Sequence, residues 1–399
     1  MRRRFGLTMA SSAAIAALFS ATLVAEVALA QAAEFVGSKA CMRCHKEEHQ
    51  SWQKTLHSKM VLPMKEGLLK DAGDAWEKDA KGTPGPTKGN VTGAAAKMDD
   101  VVFVVGTHWK QRYLIKDPTT GGHQFMDKQW NRMTKAWEGY GQKNTWETQC
   151  TTCHTTGFKL TAYDASNPKA QKWEYAEANI GCEACHGPGS VHAKSKKKAD
   201  IYSFAGKSKA EQSKVCGYCH IRLENEQFKT AQGAPSEYLP HPTVGQSYKA
   251  GEDWTKWYPD HVAIPVVNPK YPADKEWESG DLKGLFKLDE QSKKTGIYDA
   301  AKHHQQYQEY LQSTHYKKDV ASCSDCHSSH SSKDKPAKVA ADTCKSAGCH
   351  DASFTVEKYM PGTGQTAAGL FVRTHTFNKD QARPKTLTAT GEPEFFYKK

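Results

Sequence analysis

Twelve cysteines and eighteen histidines carry the chemistry of this 399-residue sequence. The cysteines fall in six pairs: CMRCH (41–45), CTTCH (150–154), CEACH (182–186), CGYCH (216–220), CSDCH (323–327) and CKSAGCH (344–350). None is left over. Such pairs could close disulfides, hold zinc or bind c-type haem. The histidines decide. All six second cysteines are followed directly by histidine, and composition alone would produce this with odds on the order of one in a hundred million. Disulfides and zinc ribbons need no such residue. Covalent haem does: each thiol adds to a vinyl group and the adjacent histidine ligates the iron from below. The haem-attaching residues are therefore Cys41, Cys44, Cys150, Cys153, Cys182, Cys185, Cys216, Cys219, Cys323, Cys326, Cys344 and Cys349. The proximal ligands are His45, His154, His186, His220, His327 and His350. The last motif has four residues between its cysteines instead of two. It keeps the Cys349-His350 pair, and Gly348 can let the longer loop bulge outward. We read it as a sixth haem site.

Twelve histidines remain for the opposite face of six irons: His49, His57, His108, His123, His192, His241, His261, His303, His304, His315, His330 and His375. The supply exceeds the need, so full bis-histidine ligation is available. Context selects His57, His192, His304, His315, His330 and His375, with His303 and His108 in reserve. His57 follows site 1 on an expected helix, EEHQSWQKTLHSKM. His192 follows the sharp turn of CHGPGS. HHQQYQEYLQSTH reads as a helix on which His304 and His315, eleven residues apart, share a face.

The elements that must position these residues are sparse. Mean hydropathy is −0.73 and 38% of residues are hydrophobic, a thin ration for one or two cores. Six haems are large apolar bodies that side chains can pack against, so they should serve as core. Residues 78–100 are a Gly/Pro-rich loop. VVFVVGTHWKQRYLIKDPTTGGHQFM alternates and turns at Asp117–Gly122, the pattern of a β-hairpin. The expected fold is mainly α and loop-rich, a haem-packed multihaem cytochrome c with one small β-hairpin. Residues 31–225 carry sites 1–4, residues 226–295 form a proline-rich connection, and residues 296–399 carry sites 5 and 6.

Residues 1–30 read as a secretory signal peptide: Arg2, Arg3 and Arg4, an alanine-rich apolar run, and a small-x-small cleavage site at Ala28-Leu29-Ala30. The exported chain would be soluble and periplasmic or extracellular, where thiol and haem chemistry is at home. Net charge is +11. The signal segment holds three arginines against Glu26, so +9 remains after export. Twelve propionates and six ferric porphyrin cores would bring that to about +3, and full reduction to about −3. Partner choice should therefore rest on local patches. The one dense run, KSKKK at 194–198, reads as a solvated loop, and nucleic acid is not expected as a partner.

The stretches CMRCHKEEHQSWQKTLH, VVGTHWKQRYL, WETQCTTCHTTGF, CEACHGPGSVH, CGYCHIR, HHQQYQEYLQSTHYKKDVASCSDCH and MP…VRTHTF resemble the multihaem cytochrome c family related to cytochrome c-554. Its superfamily also holds pentahaem nitrite reductases and octahaem hydroxylamine and tetrathionate enzymes. The resemblance implies closely stacked haems with bis-histidine iron, and His57, His192, His315 and His375 fall where that family places distal ligands. His304 matches a substrate-pocket histidine of the nitrite reductases, although their lysine-ligated catalytic motif is missing here. Two functions follow as expectations. The first is a one-electron relay in a respiratory chain, served by donor and acceptor cytochromes or a membrane quinol oxidase. Peripheral membrane association, a homo-oligomer and a filament of stacked copies are all compatible with it. The second is a reductase or oxidase of a small nitrogen or sulfur oxyanion, with His303, His304 and Arg222 near an open iron.

Overall fold

The computed structural model describes residues 33–87, 97–140 except 108 and 119, 146–222, 225, 227–229, 233, 239–258, 286, 290–300, 304–330, 344–345, 348–360 except 352, 362–366 and 370–378. The signal segment, His108, His261, His303 and most of the 226–295 connection lie outside them. Residues Phe35–Lys399 form one unit. Among the described residues no helix is long and apolar enough to cross a membrane.

The helices are short, and several of them carry a motif residue or a paired histidine. In chain order they are α1 Ser38–Cys41, α2 Lys46–Trp52, α3 Met64–Gly67, α4 Lys70–Asp74, α5 Thr151–His154, α6 Cys182–His186, α7 Ser190–Ser195, α8 Lys209–Gly217, α9 Glu290–Thr295, α10 Gln306–Tyr310, α11 Thr314–Lys317, α12 Cys323–Cys326 and α13 Val356–Tyr359. Two expected helices are shorter than the sequence suggests. EEHQSWQKTLHSKM is α only to Trp52, and His57 opens a separate 3₁₀ turn, His57–Lys59. HHQQYQEYLQSTH is not one helix. Ser313 adopts an extended conformation and caps a new start, its hydroxyl accepting from the Tyr316 N–H, and His304 lies outside α10 with φ at 68°. His304 and His315 therefore do not share a helical face. Serine's ability to replace a backbone hydrogen bond is what breaks the run.

The strands correct the expectation of one small hairpin. The turn at Asp117–Gly122 is present, with the Asp117 N–H donating to the Gly122 carbonyl at 2.8 Å. It joins β3 (Lys110–Lys116) to β4 (His123–Phe125). These belong to a six-stranded antiparallel sheet that also holds β1 (Val61–Pro63), β2 (Val101–Val105), β5 (Lys128–Asn131) and β6 (Ala136–Gly139). One face of that sheet buries Trp76, Tyr113, Trp130 and Trp137, and the rings of Trp76 and Trp137 meet edge to face. Shorter pairs follow: β7 (Thr155–Thr156) with β10 (Glu177–Ala178), β8 (Lys159–Ala162) with β9 (Lys172–Glu174), and β11 (Gly362–Thr366) with β12 (Leu370–Arg373). The fold is thus an assembly of short helices and small sheets. Sheet residues form one protein core, and an aromatic group around Tyr218, Trp254, Tyr258, Tyr307 and Tyr310 forms another.

Candidate haem-binding sites

A CxxCH motif is one turn of helix. In sites 1, 4 and 5 the histidine N–H donates to the carbonyl of the first cysteine, His45 to Cys41 at 2.9 Å, His220 to Cys216 at 3.0 Å and His327 to Cys323 at 2.8 Å. Residues three and four apart then lie on one helix face, so both thiols and the imidazole point the same way. CKSAGCH cannot use that spacing. Gly348 sits at φ 68°, a left-handed conformation open to glycine at little cost, and the chain returns to place His350.

Five of the six motif histidines face a second histidine among the described residues. Ring centroids are 6.1 Å apart for His45 and His192, 6.2 Å for His57 and His220, and 6.3 Å for His186 and His330. They are 6.0 Å for His315 and His350 and 6.1 Å for His327 and His375. That separation leaves room for one metal atom with two metal–nitrogen bonds of about 2 Å plus the two ring radii. Three pairs are near parallel, at 26°, 27° and 27°. Two are steeply crossed, at 71° and 86°.

The pairs link distant segments. His192, after site 3, faces His45 of site 1. His57, after site 1, faces His220 of site 4. His330, after site 5, faces His186 of site 3. His375 faces site 5 rather than the nearer motif at 344–350, and His315, just before site 5, faces site 6. Order along the chain could not have given these pairings.

The remaining histidines divide. His304 is exposed and is not brought to a motif histidine in any of the five pairs. His49 is buried beside Trp52, and His241 packs on Trp257. His123 is held by Glu147, ring nitrogen to carboxylate at 2.8 Å. Arg222 lies against Gln308, whose amide oxygen accepts from the Arg222 N–H.

Three of the paired rings have one nitrogen fixed by a backbone carbonyl. Nδ1 lies 3.0 Å from the Tyr202 carbonyl in His186, 2.9 Å from the Lys197 carbonyl in His192 and 3.2 Å from the Arg373 carbonyl in His375. Carbonyls can only accept, so Nδ1 carries the proton and Nε2 keeps its lone pair for iron. Burial also holds two of the rings neutral. It pushes His57 down to about 4, helped by His220, and His375 down to about 3. These are the forms a haem iron requires.

The thiols agree. No disulfide joins any of the twelve cysteines, all of which are described. Among the described residues no three His, Cys, Asp or Glu side chains converge to hold a bare metal ion. Thiols of different motifs touch instead: Cys41 with Cys182, Cys153 with Cys219, and Cys216 with Cys323. Sites 1 and 3, 2 and 4, and 4 and 5 are therefore immediate neighbours. Cys185 acts electrostatically on Cys216 and Cys219, which places site 3 by site 4. Phe377 touches both His375 and His315, which places site 5 by site 6. The six motifs form one contiguous array.

Protein contacts hold the array in register. Glu183, inside the third motif, is buried and accepts from the N–H groups of Val36 (2.9 Å), Gly37 (2.7 Å) and Gly189 (2.7 Å). It thereby fixes both carriers of site 1, the α1 approach and the start of α7. Glu183→Ala should cost about 2–4 kcal/mol, since three donors lose a charged acceptor, and Glu183→Gln should recover part of it; thermal melts of the three proteins measure this. Sites 4 and 5 are bound by the Cys323 N–H donating to Ser213 Oγ (3.1 Å) and by a Lys209–Asp325 ion pair (2.9 Å). Gly217, inside the fourth motif, lies under Tyr307, where an added Cβ would come within 2.6 Å of the ring.

Glu309 supports His375. It is 1% exposed, accepts from the N–H groups of Ala300 (2.7 Å) and His375 (2.8 Å), and burial followed by the neighbouring Asp299 pushes it up to about 8. The folded chain then holds a proton that the unfolded chain releases near pH 4.3. Between those values the folded state binds more protons, so stability falls as pH rises from about 4.3 to 8 and levels off above. Denaturant titrations should show a loss of a few kcal/mol over that window, at most, and Glu309→Gln should flatten it.

Site 2 differs. The ring beside His154 is Trp146, at 5.9 Å. Burial pushes His154 down to about 4, with Arg112 and His220 contributing. Arg112 lies 4.2 Å over the ring of Tyr140. Sequence reasoning missed Arg112 and Tyr140, because nothing in a strand and a loop marks them as neighbours of a motif, and it did not single out Trp146, although that residue stands four before Cys150.

Paired imidazoles, motif thiols and short connecting helices are the arrangement that covalently attached c-type haems would use. The family described as cytochrome c554 and c-prime matches residues 40–101 and 117–187, which include the first three motifs. Cytochrome c-554 of Nitrosomonas europaea is 24% identical over 250 residues, covering 59% of this chain and 78% of the relative. Among solved structures, the outer cell wall cytochrome OcwA shares the fold, with a TM-score of 0.53, 24% identity, and coverage of 82% of this chain and 69% of that one. An undecahaem cytochrome from the S-layer of Carboxydothermus ferrireducens gives a TM-score of 0.40 at 16% identity, over 88% and 48% of the two chains. The chain is similar to cytochrome c-554 over the regions that these matches cover.

Proposed function

We propose that the chain is an exported hexahaem cytochrome that relays single electrons between redox proteins of a respiratory chain, in the periplasm or outside the cell. The observation that carries this is the contiguous array of motifs, five of whose histidines each face a second histidine across a metal-sized gap. Bound haem supplies one-electron chemistry, with its potential set by axial ligand, burial and nearby charge. The protein's own part is positional. His192, His57, His330, His375 and His315 would close the second face of sites 1, 4, 3, 5 and 6 and exclude exogenous ligands there. The carbonyls of Tyr202, Lys197 and Arg373 hold the rings in the ligating tautomer. Glu183, Ser213 and Gly217 set the spacing between motifs.

A second reading rests on site 2. An oxyanion reductase needs one iron open to substrate and a cation beside it, and His154 lies near Arg112 with Trp146 as its ring neighbour. Arg112 takes the place that the sequence suggested for Arg222 and His304. One experiment separates the readings. Fully reduced protein mixed anaerobically with nitrite or hydroxylamine should stay reduced on the time scale of enzyme turnover. Rapid reoxidation, abolished in Arg112→Ala, would establish the enzyme instead.

A further inference from the structure

Site 1 is the motif that the fold leaves most open. Cys44, His45 and Lys46 are exposed, as is every residue from Ala193 to Ala199. Four large hydrophobic residues are exposed among the described ones, and two of them flank this site: Val36 and Met42, each 39% exposed. Around that apolar centre basic residues outnumber acidic ones. Lys39, Arg43 and Lys46 project from the α1–α2 side. The opposite side carries Lys194, Lys196, Lys197 and Lys198, the run that the sequence marked only as a solvated loop. The structure ties the run to the site. His192, which faces His45, is held by the Lys197 carbonyl, and Glu183 clamps the base of α7 to Val36 and Gly37. The local acids are Glu34, Glu47, Glu48 and Asp200, and Asp200 accepts the Ser195 hydroxyl. Three positive charges are in excess, and about one remains after the propionates of one haem.

We propose that this face is the docking surface for a redox protein whose own electron-transfer centre is ringed by carboxylates. The inference rests on the relay reading and adds its port of entry or exit: site 1, at one end of the array. An apolar centre inside a charged rim suits brief encounters, because the rim steers the partner and sets the on-rate while the small contact allows release.

The test uses the full holoprotein and flavodoxin hydroquinone, an acidic one-electron donor, as probe. Stopped-flow reduction of the wild type should be fast at low salt and slow by about 10-fold or more at high salt. The triple change Lys194→Glu, Lys196→Glu and Lys198→Glu should lower the low-salt rate by about 10-fold and flatten the salt dependence. The same change at Lys81, Lys169 and Lys172, exposed on other elements, should leave both near wild type. Unaltered kinetics in the first variant would overturn the proposal. So would loss of adsorption to phosphatidylserine vesicles with the flavodoxin rate intact, which would make the face a lipid-binding one. Complete reduction of each sample by dithionite checks the relay reading separately.

Discussion

Protein carrying Cys344→Ser and Cys349→Ser should be isolated with five covalent haems, against six in the wild type. Intact-mass spectrometry reads the count directly. CKSAGCH has the wrong spacing for a single helical turn, yet the fold returns its histidine to a ligating position. His350 faces His315 at 6.0 Å and stacks on Phe354 at 4.1 Å, and Gly348 takes the left-handed conformation that the longer loop needs. The effect should reach beyond one cofactor. His315 and Phe377 also pack against each other, and Phe377 touches His375, so loss of site 6 should loosen site 5 as well. A wild-type mass with five haems, unchanged by the double substitution, would mean that the motif at 344–350 binds nothing.

The second large effect concerns one ligand. His192→Met should raise the potential of a single haem by on the order of 0.1 V, within the roughly 0.8 V that axial ligation spans. The site suits the experiment because His192 is half-exposed on a short helix, so the change need not disturb a core. Its partner, His45, is exposed too, and the gap between them is accessible to a thioether. A spectropotentiometric titration should show one component displaced upward and the others in place. An unchanged curve would show that His192 is not a ligand.

What the sequence made legible is the covalent chemistry. Cys-x-x-Cys-His is a local pattern, and one helical turn turns it into a site without help from the rest of the chain. Five of the six distal residues singled out, His57, His192, His315, His330 and His375, do lie across from motif histidines. For His304 the expected helical alignment with His315 is absent, because Ser313 starts a new helix between them. The pairings themselves were invisible, since they depend on tertiary contacts such as the Glu183 clamp and the Gly217–Tyr307 approach. The sheet was underestimated for a different reason. β5 and β6 are only four residues each, and their turn is made by Asn131, whose side chain accepts from the N–H of Met133 at 2.9 Å. That asparagine was the available signal. The special surroundings of His154 arise from β3 and from residues before the second motif, which no spacing rule connects.

The account's central claim is that five irons sit between the named histidine pairs. Electron paramagnetic resonance of the fully ferric holoprotein tests it most directly, because the angle between axial imidazole planes sets the anisotropy of a low-spin signal. The geometry predicts five low-spin irons in two groups. Three should be rhombic, from the near-parallel pairs at sites 1, 3 and 5. Two should be strongly anisotropic with a large maximal g value, from the crossed pairs at sites 4 and 6. The spin of the remaining iron, at His154, reports on site 2 alone. Fewer than five low-spin irons, or five without the strongly anisotropic pair, would contradict the account.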